Sequence, residues 1–407
     1  MKKIIWILGF TFLGIGFSHA QDNNQQQIQD LQTEIANLKK PAQTHFMVRG
    51  FTEFGFDASN NDVNFNMGTF NPVLLWRHGD RFLVETELEM TYANNQFSMN
   101  LGYANASFVV TKGLVIKMGK ILIPFGTFGE KFHPSWVNKF ATMPLGVGHD
   151  GIVPLSDIGF EIRGGLQLGS SKLSYSVYAV NGARIKDGTE EPTEAGMLLF
   201  ENSNDNNKGK AFGSRIGFLP FSSSALEIGL SGYYTQPGTA LSPFLNDTLN
   251  QDLNYKQVSA MLSAVDLSYV KLISEIKGMI DIKGQYSFSN ISNATYFNPE
   301  DTTRYSFTNK SSAYYVQLAY RPILAENEYL RNFELAGRYS VYITPLGSLW
   351  YNNQNQITVG LNYWLNWRTV IKADYQINNN SMAGMTSMAG MTTTAGNLFL
   401  LRLAVGF

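Results

Sequence analysis

The sequence predicts an all-β protein: a transmembrane antiparallel β-barrel of about sixteen strands, with eighteen as the alternative, preceded by a short N-terminal coiled-coil helix. Three observations lead to this prediction. Apolar and polar residues alternate from residue 46 onward, short and long connections alternate, and the segment 397–407 is an apolar strand. Transmembrane barrels have short turns at one end and long loops at the other, and pairing of the last strand with the first leaves no free edge.

The composition agrees with such a barrel. The 407 residues carry a formal net charge of -1, with 13% aromatic residues, 15% charged residues and no cysteine. Soluble proteins contain about 25% charged residues. The mean hydropathy of -0.13 and the lack of an apolar run of about 18 residues after residue 20 exclude a helical membrane protein. The small net charge argues against a nucleic-acid partner, and the absence of cysteine excludes a disulfide framework.

Residues 1–20 have the pattern of a secretory signal peptide. Lys2 and Lys3 form a basic start, an apolar core follows, and the small residues Ser18 and Ala20 stand at the cleavage positions. A membrane anchor is the alternative, although the apolar core is short for a spanning helix.

Residues 21–45 form a polar, glutamine-rich segment with four regularly spaced apolar residues. Steps of three, four and three are the a/d spacing of a coiled coil, and they join Ile28, Leu31, Ile35 and Leu38. Two heptads are too short for a stable isolated helix, so we expect a coiled coil only between several copies of the chain. A linker is the alternative, and the seam alone does not decide between two and three strands.

The barrel is predicted to occupy residues 46–407. The alternation places its strands at 46–56, 66–77, 81–92, 97–110, 114–122, 157–168, 172–181, 211–219, 225–235, 257–270, 272–288, 312–321, 331–343, 355–364, 367–378 and 397–407. The connection 322–330 is long for a turn at the short-turn end, which leaves the strand number uncertain by two.

The two-residue period assigns one face of each strand to lipid and the other to a water-filled lumen. Charged residues at mid-membrane are tolerated only around water, so we expect a charged pore lined by Glu85, Glu87, Glu89, Arg49, Arg163, Arg338, Arg368, Lys372 and Arg402. Acidic residues concentrate on early strands and arginines on later ones, which predicts opposed acidic and basic walls. The alternative is that inward arginines and glutamates pair with each other.

The segment 123–156 is the candidate constriction loop. Its many aromatic residues need burial, which favours folding into the barrel over a position on its outside. The polar side chains that would then narrow the pore are Glu130, Lys131, His133, Lys139, His149 and Asp150. A loop that caps the barrel or packs on a neighbouring subunit is the alternative.

The run from Gly119 to Gly126, GKILIPFG, resembles the phosphate-selective porin O and P group, and the aromatic stretch after it resembles related porins of Bacteroidota-type bacteria. The N-terminal heptads resemble those of trimeric porins with a periplasmic coiled coil. The apolar strand ending in Phe407 resembles the signal by which the barrel assembly machinery recognises outer-membrane proteins. These resemblances imply a homotrimer in the outer membrane of a Gram-negative bacterium, in contact with its lipid, with the N-terminal segment in the periplasm.

The expected function is passive diffusion of small hydrophilic solutes or ions through the charged pore. The alternatives are a channel specific for small anions such as phosphate or a carboxylate, and a plugged barrel that acts as an adhesin or surface anchor. We expect no enzyme and no cofactor, because no nucleophile stands in a recognisable catalytic motif. Residues 381–392 repeat SMAGMT, whose methionines could suit Cu(I), although a duplicated loop tip explains them equally.

Overall fold

A computed structural model of the chain describes residues 44–59, 62–93, 95–148, 151–188, 191–200, 209–238, 255–298, 303–380 and 396–407. In these residues sixteen antiparallel strands close into one barrel, which confirms the predicted fold class, and the short strand Val63–Asn66 pairs with the first of them. The barrel strands, β1 to β16, are Thr44–Ser59, Thr69–His78, Phe82–Ala93, Gln96–Thr111, Leu114–Leu122, Ser156–Leu168, Ser171–Val180, Ala211–Leu219, Leu226–Thr235, Ala260–Ile273, Gly278–Ile291, Lys310–Arg321, Phe333–Ile343, Gln354–Asn366, Thr369–Asn380 and Leu398–Gly406.

Each barrel strand pairs with the next one in the chain, and β16 pairs with β1 to close the barrel. At this seam Phe51 lies opposite Gly406, and the backbones of Gly50 and Phe407 exchange two hydrogen bonds of 3.0 and 2.9 Å. Closure leaves no long barrel strand with an unpaired edge in the described residues.

The outer face of the barrel is apolar and the inner face is polar, which is the reverse of a soluble domain. On β14 the side chains of Val359 and Leu361 are 50% and 48% exposed, whereas the alternate residues Thr358 and Asn362 are fully buried. This alternation repeats around the barrel, with apolar side chains outward and polar or charged side chains inward. The strands therefore form a barrel with an apolar outer surface and a polar interior.

The long connection 322–330 contains the start of a short helix, α1, at Glu328–Asn332. The side chain of Asn327 accepts hydrogen bonds from the backbone N–H groups of Tyr329 and Leu330, which caps this helix. The length of this connection thus comes from a helical turn, and the described residues 322–332 contain no additional strand.

One strand boundary was placed wrongly by the sequence pattern. A single 3₁₀ turn, Ser274–Ile276, separates β10 from β11, and Lys277 adopts a left-handed conformation with φ of 51°. Glu275 and Lys277 therefore lie in a turn and not on the inner face of a strand. The apolar residues on both sides of this turn continue the alternation and conceal it.

At the end of the barrel with the long loops, an aromatic cluster packs against inward-facing side chains of β7 to β11. It includes the stacked rings of Tyr255, Tyr296 and Phe307, and Trp350 donates a hydrogen bond of 3.0 Å to the backbone oxygen of Ala195. This cluster joins residues of the long loops to the inner face of the barrel wall. Among the described residues no helix is long and apolar enough to cross a membrane.

Candidate functional site

The connection between β5 and β6, residues 123–155, contacts the inward-facing side chains of the barrel and is called the inner loop below. Its described part is 123–148 and 151–155. The backbone N–H of Gly126 donates to Ser231 Oγ on β9 at 3.0 Å, and that of Thr127 donates to Gln285 Oε1 on β11 at 3.3 Å. Both acceptors face inward, so the loop turns into the lumen directly after β5.

Aromatic side chains hold the inner loop against the later strands. The ring of Phe128 packs edge-on against Tyr315 of β12, with ring centroids 6.2 Å apart. Phe140 is fully buried with Ala319 and Ala336 of β12 and β13. Burial of such rings is the main apolar contribution to the position of this loop.

A quartet of buried charges fixes the middle of the inner loop. Lys139 Nζ lies 2.7 Å from Glu334 Oε2 on β13 and 3.8 Å from Asp281 Oδ2 on β11. Asp281 also pairs with Lys283, at 2.6 Å. Burial disfavours the charge of Lys139, but the carboxylates of Glu334 and Asp281 outweigh it and raise the pKa of this amine. Two cations therefore balance two anions in the interior.

Backbone groups of the inner loop provide further contacts to β13 and β15. Lys372 donates to the backbone oxygens of Ser135 and Phe140, at 2.8 and 3.1 Å, and Asp374 accepts from the backbone N–H of Ala141 at 2.6 Å. Arg338 donates to the backbone and the hydroxyl of Thr142, at 2.8 and 2.9 Å. Lys372 and Arg338 thus face inward but are bound to the loop.

The first part of the inner loop presents polar side chains to the early strands. Glu130 pairs with Arg163 of β6. Burial would raise the pKa of the Glu130 carboxyl, but Arg163 and Lys117 outweigh it and lower this pKa. The Glu130 contact is therefore a charged one at neutral pH.

Two neighbours of Glu130 contact other strands. Lys131 pairs with Glu227 of β9 at 2.7 Å. His133 Nε2 lies 3.6 Å from Glu87 Oε2 on β3. The inner loop thus reaches across the lumen, from β3 and β6 on one side to β15 on the other.

The predicted acidic residues of β3 differ in exposure: Glu87, which lies against His133 of the inner loop, is 2% exposed, whereas Glu85 is more open. Glu85 is 27% exposed and Lys117, at 3.9 Å from it, is 19% exposed. Arg163 on β6 is 26% exposed. On the opposite wall Lys372, Asp374 and Glu334 are at most 1% exposed. Water therefore reaches Glu85, Lys117 and Arg163, whereas Glu87 on β3 and Glu161 on β6 are buried.

The other predicted pore residues have different surroundings. Arg402 pairs with Glu53 at 3.2 Å and with Asp57, all inside the barrel. Arg49 is exposed near the short-turn end. The prediction for Arg368 is wrong: it lies in the turn between β14 and β15, where its guanidinium stacks 3.9 Å from the ring centre of Trp367. The apolar Trp367 continues the alternation and makes the turn look like a strand.

Sequence reasoning missed several inward acids. Arg215 pairs with Asp266 at 2.6 Å and with Glu227 at 3.1 Å, and Asp57 lies just beyond the end predicted for its strand. Because these acids stand on β1, β9 and β10 beside basic partners, the predicted separation into acidic and basic walls is wrong, and the alternative of paired charges describes the interior. Asp266 falls on the inward side of the two-residue alternation, so the sequence does indicate it. Apolar residues on the same face, such as Leu262, obscure this pattern.

Some predicted residues lie outside the described part of the chain. They are the signal peptide, the heptad residues Ile28, Leu31, Ile35 and Leu38, the loop residues His149 and Asp150, and the methionine repeat 381–392.

No protein-family model matches this sequence, and no curated protein matches it. Solved structures resemble it over most of its length. An anion-selective porin from Comamonas acidovorans is 12% identical, with coverage of 90% of this chain and 100% of that chain and a TM-score of 0.54. The outer-membrane channel DcaP of Acinetobacter baumannii is 12% identical, covering 91% and 98%, with a TM-score of 0.52. The trimer form of OmpT, an outer-membrane protein of Vibrio cholerae, is 12% identical, covering 89% and 99%, with a TM-score of 0.52. At this identity the likeness concerns the fold, and the chain has the sixteen-stranded barrel fold found in bacterial outer-membrane porins.

Proposed function

We propose that the protein is a channel of a bacterial outer membrane, through which small hydrophilic solutes diffuse passively. The observation that carries the proposal is the polarity of the barrel, whose outer surface is apolar and whose inner face is charged. In water this arrangement would expose a large apolar area, whereas in a bilayer it places the apolar side chains in lipid.

The solute path passes Glu85, Lys117 and Arg163 on β3, β5 and β6, beside the points where the first part of the inner loop contacts the same wall. Partial exposure of Glu85, Lys117 and Arg163 supports this route. The inner loop covers the later strands and narrows the lumen, so size is the first criterion of passage. Charges of both signs line the route, which favours hydrated and polar solutes over apolar ones.

A channel specific for small anions, in which Arg163, Arg338, Arg368 and Arg402 would form the binding ladder, is less well supported. Arg163 pairs with Glu130 and Glu161, and Arg402 pairs with Glu53. Arg338 is bound to the inner loop. These guanidinium groups are engaged by carboxylates and backbone oxygens, so an anion would have to compete with contacts already formed.

We further propose that residues 1–20 direct export and that 21–45 form a periplasmic coiled coil in a homotrimer. The trimer form of the Vibrio cholerae barrel with this fold supports the trimer. The strand β16 and Phe407 directly after it, which is 38% exposed, are suited to recognition by the barrel assembly machinery.

A planar bilayer experiment tests the proposed function. Purified, folded protein is expected to produce stepwise conductance in KCl, with steps in groups of three, and a reversal potential in a KCl gradient reports the ion preference. Absence of conductance from protein with heat-modifiable mobility, a sign of a folded barrel, would contradict the channel.

A plugged barrel that serves as an anchor or adhesin is the second candidate. It is favoured by the complete burial of the inward residues Lys372 and Asp374 beneath the inner loop. Folded protein without conductance would support this second function.

A further inference from the structure

An apolar row lies on the inner face of the barrel near its short-turn end. Met47 of β1 stands opposite Leu75 of β2, and Leu83 of β3 lies one diagonal step away, opposite Arg77. Val109 follows on β4, on the same face as Ser107, the partner of Leu83. Met47 is 45% exposed, and the other three are partly exposed. A lumen for purely hydrophilic solutes does not need this row.

The apolar row borders the acidic residues of β3 directly. The strand register sets Leu75 opposite Glu85, and Val73 opposite Glu87. Lys117 lies 3.9 Å from Glu85, and His133 lies 3.6 Å from Glu87. Carboxylates and apolar side chains thus lie directly opposite each other on neighbouring strands.

Next to these carboxylates is a buried acceptor without a donor. Asn71 is 5% exposed, and its amide nitrogen donates to Glu87 Oε1 at 3.2 Å. The amide oxygen of the same side chain has no hydrogen-bond partner in the described residues. Buried polar atoms are nearly always paired, so this oxygen favours a ligand that donates hydrogen bonds. Its neighbour Glu87 favours a ligand that is positively charged.

We propose that this part of the lumen binds small amphipathic primary amines in their ammonium form. The ammonium group would donate to the partly exposed Glu85 and, by displacing the His133 contact, to Glu87 and Asn71, which are 2% and 5% exposed. The apolar part would lie on Leu75, Leu83 and Val109. This inference rests on the proposed channel, because it names one solute class that the same path would take up.

The probe is 2-phenylethylammonium, measured by calorimetric titration of the folded protein in lipid nanodiscs and by block of the KCl current. Three related compounds separate the contributions. Ethylammonium lacks the apolar part, 2-phenylethanol lacks the charge, and phenethyltrimethylammonium lacks the donors. We expect each of the three to bind at least about tenfold more weakly than the probe.

Two variants test the residues. Glu87→Gln is expected to weaken binding of the probe about tenfold or more, and Leu75→Ser/Leu83→Ser is expected to bring the affinity for the probe close to that for ethylammonium. Val270→Ser is the matched control, since Val270 is 38% exposed and pairs with the inward Asp281 on the opposite wall. Heat-modifiable mobility verifies that each variant is folded.

The outcomes distinguish this inference from the proposed function. Conductance without preferential binding of the probe, or with binding unchanged in Leu75→Ser/Leu83→Ser, overturns the amine site and leaves the channel standing. Binding that follows the expected pattern in a protein without conductance supports the site and contradicts the channel.

Discussion

Substitution of Lys139 by methionine is expected to release the inner loop. Lys139 is the cation 2.7 Å from Glu334, whose side chain is 1% exposed, whereas Asp281 keeps its own partner Lys283. Removal of one member of a buried ion pair costs about 3–5 kcal/mol, because the remaining charge is buried without a partner. At 1.36 kcal/mol per factor of ten, the open population of the loop should rise by about two hundred- to five thousand-fold.

Hydrogen exchange measured by mass spectrometry reports this opening. The N–H of Ala141 is bonded to Asp374, and that of Phe140 to Asn138, so both should exchange faster in Lys139→Met. Current fluctuations in the bilayer should increase in parallel. In the control Lys139→Met/Glu334→Leu no unpaired charge remains, and most of the protection should return. Equal exchange in the wild type and the single variant, or no recovery in the double variant, would refute the role of the ion pair.

Three other perturbations follow from the same contacts. Gly126 has a φ of +67° and an added Cβ would overlap Gln285, so Gly126→Ala should alter conductance, whereas Gly169→Ala, at φ +62° with open space around it, should not. The lowered pKa of Glu130 means that its stabilising contact is fully present above the ordinary carboxyl pKa of about 4.3 and is lost as the pH falls through the lowered value. The difference in conductance between the wild type and Glu130→Gln, which isolates this carboxyl, should therefore be constant from pH 7 to about 4.5 and shrink only below it. Val359→Arg on the outer face should lower barrel stability in bilayers by about 2–4 kcal/mol, measured by urea titration, and an unchanged stability would argue against a lipid-facing position.

The strands were predictable because their signal is local. Alternation depends only on neighbouring residues, and β8 at Ala211–Leu219 coincides with its predicted range. The inward position of the inner loop also followed from its aromatic content. The partners of its charged residues could not be predicted, because Lys139 and Glu334 are 195 residues apart and no periodicity relates them. Turns were predicted a few residues too early where an apolar residue such as Trp367 continued the pattern.

The seam between β1 and β16 has a consequence for folding. Neighbouring strands elsewhere in the barrel pair with segments that are close in sequence, whereas the contact of Glu53 with Arg402 joins residues 349 positions apart. Loop-closure entropy makes such a distant pairing slow to form, so hairpins should assemble before the cylinder closes. Until then β1 and β16 are open edges able to pair with another chain. The buried ion pairs at the seam form only in the correct register, because a slip of one residue would turn Arg402 to the outer face. Barrel closure, the last step of assembly, is therefore stabilised only when β1 and β16 pair in the correct register.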